Sequence, residues 1–272
     1  MTLDDGARSS VGGSWTGQIL PQLEMQNLHD QLLNADAPAL TNDQVINNCH
    51  NFAIANPVVG GFCFCPSATQ KDETSNDPIR GGGVTHYIGS CGPSVNFEGS
   101  NYNIYDPGSS GAGPIGLDGL FSPYSPNPGV TAPVYLRKRA IGFRDIRDGS
   151  SNTIALGENA GSAQPNTGFV PHRVGWVFGA HGSVELVNGR LGYIPLEIYS
   201  TRSFGLHEIN THHDYVSDKA ARNSHCFNSN HPGGAQFSFA DGSVRFVSES
   251  ADTVALRKLS SIAGGESVSI DF

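Results

Sequence analysis

The chain of 272 residues is acidic and sparsely charged, with a formal net charge of −9, 15% charged residues and 38% hydrophobic residues. Its length is ample for one folded core, and its spread of aromatic and β-branched residues excludes a disordered chain. Nucleic-acid binders and proteins that adhere to anionic membranes display a basic face, whereas the one basic cluster here is Arg137-Lys138-Arg139. Neither kind of partner is therefore expected. The low charge and the many Ser, Thr, Asn and Gly residues favour an extracytoplasmic protein.

Two short helices are predicted near the N-terminus. Pro21 suits the first turn of a helix, where its missing N–H is not needed. The leucines around it are spaced by three or four residues, which predicts a helix over residues 21–33. A second helix is predicted after Thr41, which has capping-box spacing to Gln44, and Pro57 ends it.

Strands and loops are predicted for most of the middle of the chain. Apolar runs bounded by turn residues predict short strands at Phe62 to Cys65, Val84 to Ile88, Thr153 to Glu158 and Val174 to Phe178. The stretch from Pro107 to Pro133 is dense in Gly, Pro and Ser. It is too long for an ordinary connection, so we interpret it as a functional loop or a surface insertion.

A β-hairpin is predicted near the C-terminus, with Asp241-Gly242 between two alternating strands. This dipeptide favours a two-residue type I′ turn, which requires positive φ at both positions. The register would place Ala240 opposite Ser243. Four apolar side chains would then share one face: Phe237, Phe239, Val244 and Phe246.

The last predicted element is a helix within Ser250 to Gly265. Its apolar residues recur at helical spacing, and Asp252 lies near its start. Gly264-Gly265 is predicted to end it in a left-handed conformation.

Five cysteines are present, an odd number: Cys49, Cys63, Cys65, Cys91 and Cys226. In a strand the thiols of Cys63 and Cys65 would face the same way, which leaves a soft metal site open. Disulfides or buried thiols are the interpretation we favour. The sequence does not decide which cysteines pair.

Two segments contain residue types that bind metals. Half of the ten histidines lie between His207 and His231, and His212-His213-Asp214 is the candidate site for a transition metal such as zinc. A polar surface loop is the alternative we favour for it. The loop from Asp145 to Asn152 offers oxygen ligands for calcium, although an Asx-type turn explains it more simply. These segments assign no cofactor, and a bound calcium or zinc ion stays open as the alternative.

His231 and Asp241 invite interpretation as a catalytic pair. Six strand residues lie between the glycine corner and the turn, and they span roughly 20 Å at about 3.3 Å per residue. Structural roles are therefore predicted, with His231 bracing the corner Pro232-Gly233-Gly234 and Asp241-Gly242 forming the turn. No catalytic residue is identified, and the chain is not expected to be an enzyme.

The spacing of His231, nine residues and Asp241-Gly242 resembles the H-X9-DG motif of prepilin-type, processing-associated domains. The chain also resembles a large bacterial family of unknown function that carries this motif behind a prepilin-like N-terminus. Further segments support the resemblance in chain order: Ile19 to Glu24 with Asn27-Leu28, Cys65-Pro66-Ser67, Thr85 to Gly89, Asp148 to Ile154 with Gly157-Glu158, and Gly264-Gly265.

The predicted helices and strands, together with this resemblance, indicate one α+β domain over residues 1–272. It would be a pilin-like head with a mostly antiparallel sheet, short N-terminal helices, long Gly/Pro-rich loops and a C-terminal helix. The resemblance also implies an extracytoplasmic location and partners among other pilin-like subunits or a type II secretion machinery. Contact with the membrane would be made only through an N-terminal hydrophobic helix, which this sequence lacks, so we expect that Met1 is not the native start.

The expected function is that of a pilin- or pseudopilin-like structural subunit that acts by assembly or surface display. A third possibility is a metal-dependent enzyme that uses the histidine-rich segment. The first alternative is a solute- or glycan-binding module on the cell envelope. Such a module should have a concave pocket lined by aromatic residues. The candidates are Tyr102, Tyr105, Tyr124 and Trp176.

Overall fold

The computed structural model describes residues 9–13, 15–34, 61–68, 85–106, 113–122, 141–160, 178–187, 190–198, 201–211, 227–265 and 268. The described part contains helices together with a mixed sheet, which confirms the predicted α+β class. The helix predicted after Thr41 and most of the stretch from Pro107 to Pro133 lie outside the described residues.

The described elements follow one another in this order: β1 (Ser9–Gly13), α1 (Trp15–Gln18), a 3-10 turn (Leu20–Leu23), α2 (Gln26–Asn34), a 3-10 turn (Gly61–Cys63), β2 (Tyr87–Pro93), β3 (Ile104–Tyr105), β4 (Ile115–Gly116), two 3-10 turns (Phe143–Asp145 and Ser150–Asn152), β5 (Ile154–Glu158), β6 (Phe178–Val187), β7 (Arg190–Ile198), β8 (Thr201–Phe204), β9 (Gly234–Phe239), β10 (Val244–Ser248) and α3 (Thr253–Ser260).

A five-stranded sheet organises the core, with strand order β10-β9-β5-β2-β8. Its neighbouring strands are antiparallel except β2 and β8, which run parallel. Phe237 and Phe239 of β9 are buried with Ile154 of β5, and Leu256 and Leu259 of α3 pack against the same cluster. Two smaller sheets accompany it, β1-β6-β7 and β3-β4.

The predicted helix over residues 21–33 is interrupted, so that prediction was only partly right. Glu24 adopts the left-handed conformation, with φ 61°, and separates the 3-10 turn from α2. The N–H of Met25 bonds back to the carbonyl of Leu20 at 2.9 Å. Leu20 is buried in the 3-10 turn, and α2 begins after the break, at Gln26.

Some of the strand predictions are confirmed and others are wrong. The prediction for Thr153 to Glu158 is confirmed by β5. The strand predicted from Phe62 to Cys65 is wrong, because Gly61–Cys63 forms a 3-10 turn. This segment bonds to the start of β2 through His86, whose N–H donates to the carbonyl of Cys63 at 2.8 Å. β2 starts later than predicted, at Tyr87. Of the strand predicted from Val174 to Phe178, residues 174–177 lie outside the described residues, and Phe178 belongs to β6.

The hairpin forms, but its predicted register is wrong by one residue. Val244 pairs with Ser238, and Phe246 pairs with Gln236. Gly242 has φ 84°, whereas Asp241 does not have positive φ, so a type I′ turn is excluded. The loop is instead Ala240–Gly242, closed by the N–H of Phe239 on the carbonyl of Ser243 at 2.8 Å, as in three-residue hairpins that end with one left-handed residue.

The shifted register changes which side chains reach the core. Phe237 and Phe239 are buried, whereas Val244 is 64% and Phe246 is 38% exposed. The second pair lies on the outer face because side chains alternate along a strand. Arg245 takes the inner position opposite Phe237, and its guanidinium lies 4.5 Å from the centre of the Phe239 ring.

The Asp241 carboxylate stabilises the hairpin loop in a pH-dependent way. The Ser243 hydroxyl and the Ser243 N–H, which lies 2.9 Å from Oδ1, lower the pKa of Asp241. A lowered pKa contributes stability that is present above the unfolded value of 3.8 and is lost as the pH falls through the folded value. We expect Asp241→Ser to be less stable than wild type near neutral pH, and the difference to shrink below pH 3.8. Urea unfolding at several pH values measures this, and a difference that does not change with pH would contradict it.

The prediction of the C-terminal helix is confirmed for the start of the helix and is wrong for its end. Asp252 caps α3 by accepting a hydrogen bond from the Val254 N–H at 3.0 Å. The helix ends at Ser260, before the predicted glycine stop. The N–H groups of Gly264 and Gly265 instead donate to the two carboxylate oxygens of Asp148 at 2.7 and 2.8 Å. In the described part of the chain, no helix has the length and hydropathy needed to cross a bilayer.

Candidate functional site

Three side chains with metal-binding atoms meet beside the central sheet: Cys65, Glu158 and His231. Their ligand atoms all lie within 4.8 Å of one another. His231 Nε2 is 3.5 Å from Cys65 Sγ and 3.4 Å from Glu158 Oε1. Cys65 and Glu158 are buried, at 0% and 1% exposed, while the His231 side chain is 28% exposed. We call these three residues the Cys-Glu-His cluster.

Strand pairing explains why residues so far apart in the chain meet. Glu158 is the last residue of β5, and β5 runs antiparallel to β9. The end of β5 therefore meets the beginning of β9, where His231 lies in the preceding corner. On the other side Glu158 pairs with Tyr87 at the start of β2. The residue before Tyr87, His86, accepts a hydrogen bond from the Cys65 N–H on Nδ1 at 3.0 Å, which holds Cys65 at the same place.

Hydrogen bonds orient the Glu158 carboxylate and the His231 imidazole of the cluster. The Gln236 N–H donates to Glu158 Oε2 at 2.7 Å, which leaves Oε1 facing His231. Ser67 Oγ lies 3.3 Å from His231 Nδ1, which leaves Nε2 facing the thiol and the carboxylate. The corner itself is held by the His231 N–H, which donates to Ser229 Oγ at 3.1 Å.

The surroundings make the Cys65 thiol a poor nucleophile when no cation is present. Burial raises the pKa of Cys65, and the hydrogen bond with Glu158 and its negative charge raise it further. Burial and the nearby Cys65 and Glu158 charges raise the pKa of Tyr87 to about 12. A neutral thiol does not attack. A bound cation reverses this situation, because it stabilises a thiolate beside a carboxylate.

The residues of the H-X9-DG motif lie at the two ends of strand β9. His231 lies in the corner with Pro232, Gly233 and Gly234 before β9, and Asp241-Gly242 lies in the loop after it. The structure therefore supports separate roles for His231 and Asp241. Sequence reasoning missed that His231 also meets Cys65 and Glu158.

Other predicted candidates have different outcomes. His212, His213 and Asp214 lie outside the described residues, as do Tyr124 and Trp176. Tyr102 and Tyr105 are buried, at 6% and 9% exposed, and the Tyr102 ring packs edge-on against Phe97. These two tyrosines are therefore core residues and do not offer an exposed stacking surface.

The structure also describes three of the five cysteines and the oxygen-rich loop. Cys63 and Cys65 are buried free thiols, and Cys91 is buried with its Sγ 3.5 Å from the Phe121 carbonyl oxygen. Cys49 and Cys226 lie outside the described residues. In the loop from Asp145 to Asn152, the Asp145 Oδ2 accepts from the Gly142 N–H at 2.8 Å. Asp148 accepts from two further backbone amides. Both carboxylates therefore bind backbone amides, although none of these bonds is that of an Asx-type turn, which joins a side chain to the backbone two residues on.

These features define an α+β domain in which a partly buried Cys-Glu-His cluster lies beside the central sheet. The chain belongs to the family described as "Protein of unknown function (DUF1559)", whose model matches residues 2–253. No curated protein and no solved structure matches the chain.

Proposed function

We propose that this domain is the extracytoplasmic head of a pilin- or pseudopilin-like structural subunit, and that it acts by assembly or surface display and has no enzymatic activity. Its partners are further copies, related subunits or a secretion machinery. The H-X9-DG resemblance supports this assignment, together with the separate structural positions of His231 and Asp241.

The observation that carries the proposal is the outer strand of the hairpin. In the described part of the chain, β10 is an edge strand of the five-stranded sheet, and it presents Val244 and Phe246 at 64% and 38% exposure. Edge strands of isolated proteins are usually blunted by charges or covered, because they template pairing with other chains. An apolar edge strand suits a subunit that is covered by its neighbour in an assembly.

Cross-linking in the native cell envelope tests the proposal. The full-length protein carrying Val244→Cys is treated with a short thiol cross-linker, beside wild type and a Phe143→Cys control, whose position is 79% exposed. We expect Val244→Cys to give cross-linked multimers, and wild type and the control to give few. Electron microscopy of the same envelopes should show filaments or arrays that bind an antibody against the protein.

The proposal fails if the protein fractionates with the cytoplasm, or if Val244→Cys yields no more multimer than the control. A protein that reaches the envelope but stays monomeric would favour the alternative of a solute- or glycan-binding module. Binding of a glycan array by the purified chain would then separate that module from an inert head.

A further inference from the structure

We propose that the Cys-Glu-His cluster is a zinc site, with Cys65 Sγ, Glu158 Oε1 and His231 Nε2 as its three protein ligands. The site joins three parts of the chain: the loop after Gly61–Cys63, the end of β5 and the corner before β9. It is separate from the assembly surface on β10 and does not depend on the proposed structural function.

The separations of His231 Nε2 from the other two donor atoms match those around a tetrahedral zinc ion. Zinc lies about 2.3 Å from a thiolate, about 2.0–2.1 Å from an imidazole nitrogen and about 2.0–2.2 Å from a carboxylate oxygen. At a tetrahedral angle these lengths separate sulfur from nitrogen by about 3.6 Å and nitrogen from oxygen by about 3.4 Å. The observed separations are 3.5 Å and 3.4 Å.

A direct hydrogen bond explains the separation between His231 Nε2 and Glu158 Oε1 less well. A charge-assisted bond between an imidazolium N–H and a carboxylate is about 2.7–2.9 Å long, whereas Nε2 and Oε1 are 3.4 Å apart. The same carboxylate accepts a short bond of 2.7 Å from the Gln236 N–H on its other oxygen. Glu158 Oε1 is therefore not held by a short hydrogen bond to His231, as Oε2 is to the Gln236 N–H.

The types of donor atom select the metal. One sulfur, one nitrogen and one oxygen form a mixed set of borderline softness, which suits zinc. Calcium and magnesium require oxygen ligands and would not use a thiol. Calcium, one of the two ions that the sequence left open, is therefore not the ion expected here.

The surroundings of the cluster resemble the outer shell of a metal site. A ligating histidine usually gives its second ring nitrogen to a polar partner, which fixes the ring orientation, and Ser67 Oγ occupies that place beside Nδ1 at 3.3 Å. The Gln236 N–H holds Glu158 in the same way. Since the His231 side chain is 28% exposed, a water molecule can take the fourth position from the solvent side.

Metal binding to the purified full-length chain, kept reduced, tests the site. After treatment with a chelator, zinc should bind with one equivalent per chain at this site, and cobalt(II) should give thiolate-to-cobalt charge-transfer absorption. Cys65→Ser should abolish that absorption, and Glu158→Gln and His231→Ala should each weaken zinc binding by more than 100-fold. Ser67→Ala, which removes only an outer contact, should weaken binding by about 10–100-fold.

Two controls separate this site from other candidates. Cys63→Ser removes a second buried thiol two residues away and should leave the cobalt spectrum unchanged. A double variant, His212→Ala with His213→Ala, should also leave it unchanged. The proposal is overturned if wild type gives no thiolate-to-cobalt absorption, or if binding survives Cys65→Ser and is lost in the double variant. If Cys65→Ser does not fold, the zinc affinity of His231→Ala decides the question, because this side chain is partly exposed and its loss leaves every thiol in place.

Discussion

Phe237→Ala should lower the free energy of unfolding by about 3–5 kcal/mol, the usual cost of removing a buried phenylalanine ring. Phe237 is fully buried, and its ring centre lies 5.2 Å from that of Phe227 and 6.2 Å from that of Phe204. The cavity would open in the core, beside strand β9 of the central sheet. Urea denaturation followed by intrinsic fluorescence measures the loss.

Phe246→Ala is the matched control, because it removes the same ring from the same hairpin. Phe246 is 38% exposed on the outer face of β10, so we expect its loss to cost less than about 1 kcal/mol, near the range of surface changes. In the two-residue register predicted from the sequence, the two phenylalanines would share the core face and cost similar amounts. Equal losses would therefore contradict the three-residue loop.

Gly119→Ala is expected to cost at least about 3 kcal/mol, at or beyond the roughly 1–3 kcal/mol usual for overpacking. A Cβ at this position would lie 2.1 Å from the carbonyl carbon of Cys91 and 2.1 Å from the nitrogen of Gly92. These are backbone atoms of β2, so no side-chain rotation relieves the clash. The Gly119 N–H also bonds to the Cys91 carbonyl at 2.8 Å, and a shift of the loop would break this bond.

Gly142→Ala provides the comparison for this effect. A Cβ there would meet its nearest atom, Asp145 Oδ2, at 3.9 Å, and the backbone has an ordinary φ of −120°. We expect a change within about 0.5 kcal/mol in urea denaturation. If the two variants lose similar stability, the close approach of Gly119 to β2 is not what makes this glycine necessary.

Local patterns in the sequence predicted those elements whose stabilising contacts are also local. Alternation and turn residues identified β5 and the hairpin strands. Asp252 marked the start of α3 because a helix cap acts over two or three residues. The left-handed break at Glu24 was missed, because no glycine or asparagine marks it and burial of Leu20 decides where the chain turns.

Local sequence patterns could not predict that the residues of the candidate site meet. Cys65, Glu158 and His231 each stand in a segment that supported the family resemblance, in Cys65-Pro66-Ser67, in Gly157-Glu158 and in the H-X9-DG motif. Nothing in their spacing indicated that they meet, since 166 residues separate Cys65 from His231. The one signal available was that each segment carries a residue type that binds metals.

The sequence by itself determined the α+β class, the existence of the hairpin and the capped C-terminal helix, because periodicity, turn residues and caps act between near neighbours. Only the tertiary structure decided the hairpin register and the Cys-Glu-His cluster. A two-residue and a three-residue loop both satisfy the local pattern, and the choice depends on which face of β10 packs on the core. The cluster depends on β5 pairing with β2 on one side and β9 on the other, which brings together side chains that no short segment contains.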